Sequence, residues 1–203
     1  MSSFIALVVL FEVLLFAGGC ANKLPDTRYY QLAPPPQAHR GGDLSLVLEP
    51  LTTDQAYDDE RIVYRSTPYR FDYYQYHRWS AAPGAMIGNY LEQSLEQSGK
   101  FATVTHELTS DAPVVLGGRV VAIEEVDTAK TSWVGRIVIE LTLSDAKTNK
   151  PLWTQQFEET EPLAAQTPEG LAQALSIAMS RITTKALPMI ESSARAGELN
   201  AGR

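Results

Sequence analysis

The strictest constraint in this chain is the alternation across residues 136–144. Ile137, Ile139, Leu141 and Leu143 fall on one side, and Arg136, Val138, Glu140 and Thr142 on the other. Successive side chains of an extended strand point to opposite faces, so this pattern specifies a strand with one buried face and one wet face. The polar run from Asp145 to Lys150 turns the chain into residues 152–160, where Trp153 and Phe157 share a face. An antiparallel hairpin is predicted there. A sheet with one apolar face must be covered, and two segments with helical periodicity can do so. After Pro83, residues Met86, Ile87, Tyr90, Leu91 and Leu95 form one apolar stripe that ends at Gly99. After Thr167 as N-cap and Pro168, residues Leu171, Ala174, Leu175, Ala178, Met179 and Ile182 form a second. Pro188 is expected to kink or end that helix, leaving residues 191–203 as a disordered tail.

Further strands are expected at 29–32, 44–51, 61–65 and 114–126. In the last, Gly117-Gly118 marks a bulge or a close backbone approach. Three prolines at 34–36 make the run to Gly42 a linker or rigid turn. The order is strands, helix, strands, helix, without an internal repeat. It predicts a single α+β domain over residues 29–190, a mostly antiparallel sheet with two main helices packed on one face. At 44% hydrophobic and 20% charged residues, the chain has the material for a real core.

The N-terminus carries the next signal. Residues 4–16 are an apolar run interrupted by Glu12, followed by Ala17-Gly18-Gly19-Cys20. The run is too short for the roughly 20 residues that span a bilayer, and suits the roughly 7 to 15 of a signal-peptide core. Small residues before the cysteine resemble the lipobox of bacterial lipoproteins, with Ala17 in the place of the usual Leu and no Lys or Arg before the apolar run. Residues 1–19 are therefore read as a signal peptide, Cys20 as the lipidated residue and residues 20–28 as lipidated cysteine and tether. Position 21 is Ala rather than Asp, which in Gram-negative lipoproteins implies delivery to the outer membrane; anchoring in the inner membrane is the alternative. Cys20 is the chain's single cysteine, so no disulfide supports the fold.

Recognisable chemistry is scarce. His39, His77 and His106 lie in no metal-ligand spacing, and no nucleophile elbow, phosphate loop or dinucleotide fingerprint occurs. The acid pairs Asp58-Asp59, Glu124-Glu125 and Glu158-Glu159 point to opposite faces of a strand, so each is expected to be solvated surface. A net charge of −7 with scattered Arg and Lys argues against nucleic acid and against electrostatic docking on anionic lipid. Neither enzyme activity nor a cofactor or metal is indicated. The exception is residues 64–79, which hold five of the nine tyrosines with Phe71 and Trp79. Such residues are enriched at binding surfaces. Tyr69, Tyr73, Tyr74, Tyr76, Arg78 and Trp79 are the candidate partner-binding residues, the other reading being that about half are core.

Here the sequence resembles the ABC-type transport auxiliary lipoprotein family. The resemblance is carried by Tyr29-Tyr30-Gln31-Leu32, by Ile62-Val63-Tyr64-Arg65 through Pro68-Tyr69, and by Tyr73-Tyr74-Gln75-Tyr76-His77-Arg78-Trp79 followed by Pro83. It extends over nearly the whole chain after Cys20. The resemblance implies a non-catalytic accessory of an MCE-type lipid transport system, with phospholipid as cargo. Its implied partners are an MCE-domain protein with its permease and ATPase, with assembly as a homo-oligomeric ring a further option. A scaffold or activator of envelope assembly is the competing reading.

Overall fold

The computed structural model describes residues 24–36, 41–109, 112–129 and 132–201; Cys20, the expected signal peptide and His39 lie outside them. In chain order the elements are β1 (Arg28–Tyr30), β2 (Leu44–Leu48), β3 (Thr52–Thr53), β4 (Arg61–Thr67), β5 (Arg70–Trp79), α1 (Pro83–Gln97), β6 (Phe101–Thr105), β7 (Val114–Ala129), β8 (Ser132–Asp145), β9 (Pro151–Pro162) and α2 (Pro168–Ala201). A short 3-10 turn, Gln55–Tyr57, joins β3 to β4.

β7, β8 and β9 form an antiparallel meander whose long registers make it the spine of the sheet. The predicted 136–144/152–160 hairpin is its outer half. The other flank of β7 receives three short strands in succession, all parallel to it. Val47 lies beside Val115, Thr52 beside Arg119, and Val63–Arg65 beside Glu124–Val126. β6 continues outward from β2, while β5 and then β1 continue outward from β4. The sheet is thus mixed rather than purely antiparallel: its longest ladders are antiparallel, as expected, and the short ones on this flank of β7 are parallel. Periodicity locates a strand and its buried face, but only a tight turn reveals direction. The parallel partners of β7 are joined to it through the long excursion by way of β5, α1 and β6, as parallel pairing requires.

Both helices bury their stripes in one core with the sheet. Ile137, Ile139, Leu141 and Leu143 of β8 are fully buried, as are Leu171, Leu175, Ala178, Met179 and Ile182 of α2. At Gly135 a Cβ would lie only 3.2–3.3 Å from Ala174, Leu175 and Leu171, so α2 packs closely on β8 there. The Thr167 hydroxyl accepts the Gly170 N–H at 3.1 Å and caps α2 as predicted. α1 ends at Gly99, whose φ of +71° reverses the chain.

α2 differs from expectation at its far end: it passes through Pro188 and stays helical to Ala201. The tail expected to be disordered from residue 191 is therefore helix over most of its length. An interior proline costs about 3 kcal/mol through a lost hydrogen bond and a clash. Here the apolar stripe continues past it, with Ala186, Ile190 and Ala194 buried, and Arg195 pairs with Asp43 at 3.1 Å. Burial of that extra face offsets the proline.

Gly117-Gly118 resolves to a close approach, because the register shift falls further on, between Val120 and Ala122. A Cβ on Gly118 would lie 2.3 Å from the Glu140 carbonyl oxygen. Gly118→Ala is expected to lower the unfolding free energy by about 1–3 kcal/mol in urea titrations. An unchanged midpoint would contradict the tight contact.

Candidate functional site

The aromatic strand β5 is where the sequence places a contact surface, and the structure divides it. Trp79 is fully enclosed and belongs to the core, so it offers no surface to a partner. Tyr73 and Tyr74 are neighbours on an extended strand and face opposite ways. The Tyr73 ring lies under the Arg61 guanidinium, 3.8 Å from its centroid, and its hydroxyl donates to the Ala56 carbonyl at 3.2 Å. Tyr74 packs edge-on against Tyr64 and His77 on the other face, at 5.2 and 5.7 Å between ring centroids. Tyr76 and Arg78 are half-buried. Tyr69 alone is open: it is 97% exposed at the tip of the β4–β5 turn, with Phe71 nearby on the strand at 39%.

Beneath this wing lies a feature the sequence reading missed. Glu124 and Glu125, expected to be solvated, are both buried, at 0% and 1% exposure. The two side chains do point to opposite faces of β7, as neighbours on a strand must. What a single strand could not reveal is that each face is covered by groups distant in sequence. Glu124 accepts from the Tyr57 hydroxyl at 2.7 Å, Arg65 Nε at 3.0 Å and an Arg136 terminal nitrogen at 2.9 Å. Arg136 also donates to Glu158 at 2.7 Å, and Arg65 to the Tyr57 hydroxyl at 3.2 Å. Burial, and then the bond to Glu124, push the Tyr57 hydroxyl up to about 12.

On the other face, Glu125 Oε1 accepts the Tyr74 hydroxyl at 2.8 Å, while its carboxyl lies against that of Asp127. Burial, with the Asp127 carboxylate adding to it, raises the Glu125 carboxyl to about 7 against the pull of the Tyr74 bond. Burial likewise raises the Asp127 carboxyl and the Tyr74 hydroxyl. His77 is held through Nδ1 by the Tyr30 hydroxyl at 2.8 Å, and His106 is hydrogen-bonded to the Leu48 carbonyl oxygen and Glu92.

One concavity lies against these groups and another lies apart from them. One of about 530 Å³ lies against the β4–β5 turn, with Arg65, Arg136, Glu124 and Pro68 in its wall. The other, about 250 Å³, runs between α1 and α2 over Leu91, Leu95, Leu187 and Ile190 beside the Pro35-Pro36 strap. Among the described residues, no three His, Cys, Asp or Glu converge to hold a metal, and no helix is long and apolar enough to cross a membrane. Glu124, Arg65 and Arg136 neutralise one another across strands, an arrangement suited to fixing geometry.

Over residues 30–186 the sequence matches the family described as ABC-type transport auxiliary lipoprotein component. The chain belongs to that family. The fold agrees with solved structures. Protein XCC0632 from Xanthomonas campestris gives a TM-score of 0.70 at 17% identity, covering 87% of this chain and 99% of that one. An uncharacterized protein gives 0.66 at 16%, covering 82% and 99%. The hypothetical protein CT253 from Chlamydia trachomatis gives 0.51 at 9%, covering 75% and 96%. At such identities the likeness is one of fold. Among functionally curated proteins none matches. The lipoprotein is thus related by family to a component of ABC-type transport, and membership places it in the cell envelope.

The acid pair has measurable consequences. A free Glu titrates near 4.3 and Glu125 near 7, so the folded state retains a proton that the unfolded chain has lost. Its contribution to stability is fully present below about pH 4 and is lost as pH rises through about 7. Glu125→Gln is expected to flatten this slope and raise the melting temperature at pH 8; a slope like that of the wild type would contradict the buried acid. Glu124→Ala leaves Arg65 and Arg136 without their shared partner and is expected to cost on the order of 3 kcal/mol in chemical denaturation.

Proposed function

We propose that this lipoprotein is a non-catalytic accessory of an MCE-type lipid transport system, held by lipidated Cys20 on the periplasmic face of the outer membrane. The observation that carries the reading is the family match over residues 30–186, whose description is an auxiliary component of ABC-type transport. Supporting it, the small residues 17–19 lead into Cys20, and Ala21 follows it. Two acyl chains hold a protein firmly at a membrane, because each buried methylene contributes about 0.8 kcal/mol. In this role the domain binds, through its folded surface, the MCE-domain protein that carries phospholipid, and the permease and ATPase work upstream of it.

The reading is tested by affinity purification of the full lipoprotein from gently solubilised envelopes, with proteins identified by mass spectrometry. Recovery of an MCE-domain protein together with its permease and ATPase is the expected result. Recovery of cell-wall or outer-membrane assembly machinery in their place would overturn it. Mass spectrometry of the mature N-terminus is expected to find acylated Cys20 in the outer-membrane fraction. An unmodified Cys20 there would remove the anchor.

A further inference from the structure

We propose that the β4–β5 turn, with Tyr69 at its tip, rests in the interface of the membrane that holds Cys20, giving the lipoprotein a second contact with that bilayer. This rests on the Cys20 anchor proposed above and adds an orientation to it.

Strand direction and tether length lead there. β1 runs parallel to β5, with Arg28 beside His77 and Tyr30 beside Trp79. The chain preceding Arg28 therefore leaves toward the start of β5, the end of the wing where the turn lies. Across that wing Arg61 pairs with Arg78 at one end and Thr67 with Arg70 beside the turn. The strand between those pairings spans about 20 Å at about 3.3 Å per residue. From Arg28 back to Cys20 the chain reaches at most about 28 Å. A tether laid along β5 can therefore carry the anchor at most about 8 Å past the turn. The anchor confines this end of the domain to the membrane surface, where little room is left for an intervening protein.

The chemistry of this end fits a bilayer interface. Tyr69 is 97% exposed, with Phe71 beside it on the strand at 39% and Leu24 on the tether at 72%. A tyrosine ring places apolar area among lipid tails and its hydroxyl among headgroups. The backbone of the turn is already satisfied from within. The Tyr69 N–H donates to the Thr67 hydroxyl at 3.3 Å, the Pro68 carbonyl accepts from Arg65 at 3.2 Å, and Pro68 has no N–H. Entering a medium poor in water then leaves few orphaned backbone groups. Exposed Arg28 and Arg70 are balanced by Asp26 and Asp72. The contact is therefore one of amphipathic rings, consistent with a chain of net charge −7.

The test uses the lipidated full chain. Cys20 is the sole cysteine and acylation consumes its thiol, so Tyr69→Cys supplies a single reactive site. Leu108→Cys is the control: Leu108 is 72% exposed and follows β6, which reaches β7 through β2 at the end away from the turn. Each variant is labelled with an environment-sensitive fluorophore. Each is then reconstituted into vesicles of phosphatidylethanolamine and phosphatidylglycerol with or without doxyl-labelled lipid. The label at 69 is expected to shift to the blue and to lose intensity to the doxyl lipid, while the label at 108 does neither. Flotation with the vesicles but no quenching at 69 overturns the membrane contact and leaves the anchor standing. Failure to float overturns the anchor, and the orientation falls with it.

Discussion

The contact on which the arrangement depends is the short parallel pairing of β4 with β7, from Val63–Arg65 to Glu124–Val126. Three residue pairs are a weak basis for holding a hairpin as long as β4–β5. The two faces of that contact carry adjacent glutamates, both withdrawn from water. Glu124 ties β7 to Arg65 of β4, to Arg136 of β8 and to the 3-10 turn through Tyr57. Glu125 ties it to Tyr74 of β5. A buried carboxylate is costly unless paired, so each bond constrains where its partner strand must lie. Near the turn the wing is held by polar geometry, while Ile62, Val63 and Trp79 join its base to the apolar core that also packs α2 on β8.

This division bears on the proposal that the β4–β5 turn rests at a membrane. Apolar packing concentrates in the helices and the spine, where close contacts such as those around Gly135 leave little freedom. The wing has less apolar cover and relies on directional bonds, which specify an orientation rather than only a burial. Because β1 extends the same wing, the tether and the β4–β5 turn leave the domain at one end.

Much of the fold was legible in the sequence. The β8 alternation, the turn into β9, the α1 stripe and the Thr167 cap all survive, because each depends on neighbours close in the chain. Strand direction was not legible, since β2, β3 and β4 reach β7 only through distant connections. α2 continues past Pro188 because Ile190 and Ala194 are buried beyond it, a long-range effect that a proline by itself does not signal. At the candidate site the sequence singled out β5 but treated it as one surface. Trp79 went to the core, Tyr73 and Tyr74 went into cross-strand bonds, and Tyr69 was left open. Glu124 and Glu125 gave no local sign of burial, as their partners come from β4, β5, β8 and the 3-10 turn.

The central claim is that the two buried glutamates seat the β4–β5 wing on the spine. Amide hydrogen exchange of Glu124→Gln against the wild type tests it most directly, because neutral glutamine keeps the size and removes the charge. The account predicts faster exchange across β4 and β5, with protection in β8, β9 and α2 retained. Equal exchange in both proteins, or a loss of protection spread evenly over the whole domain, would contradict it.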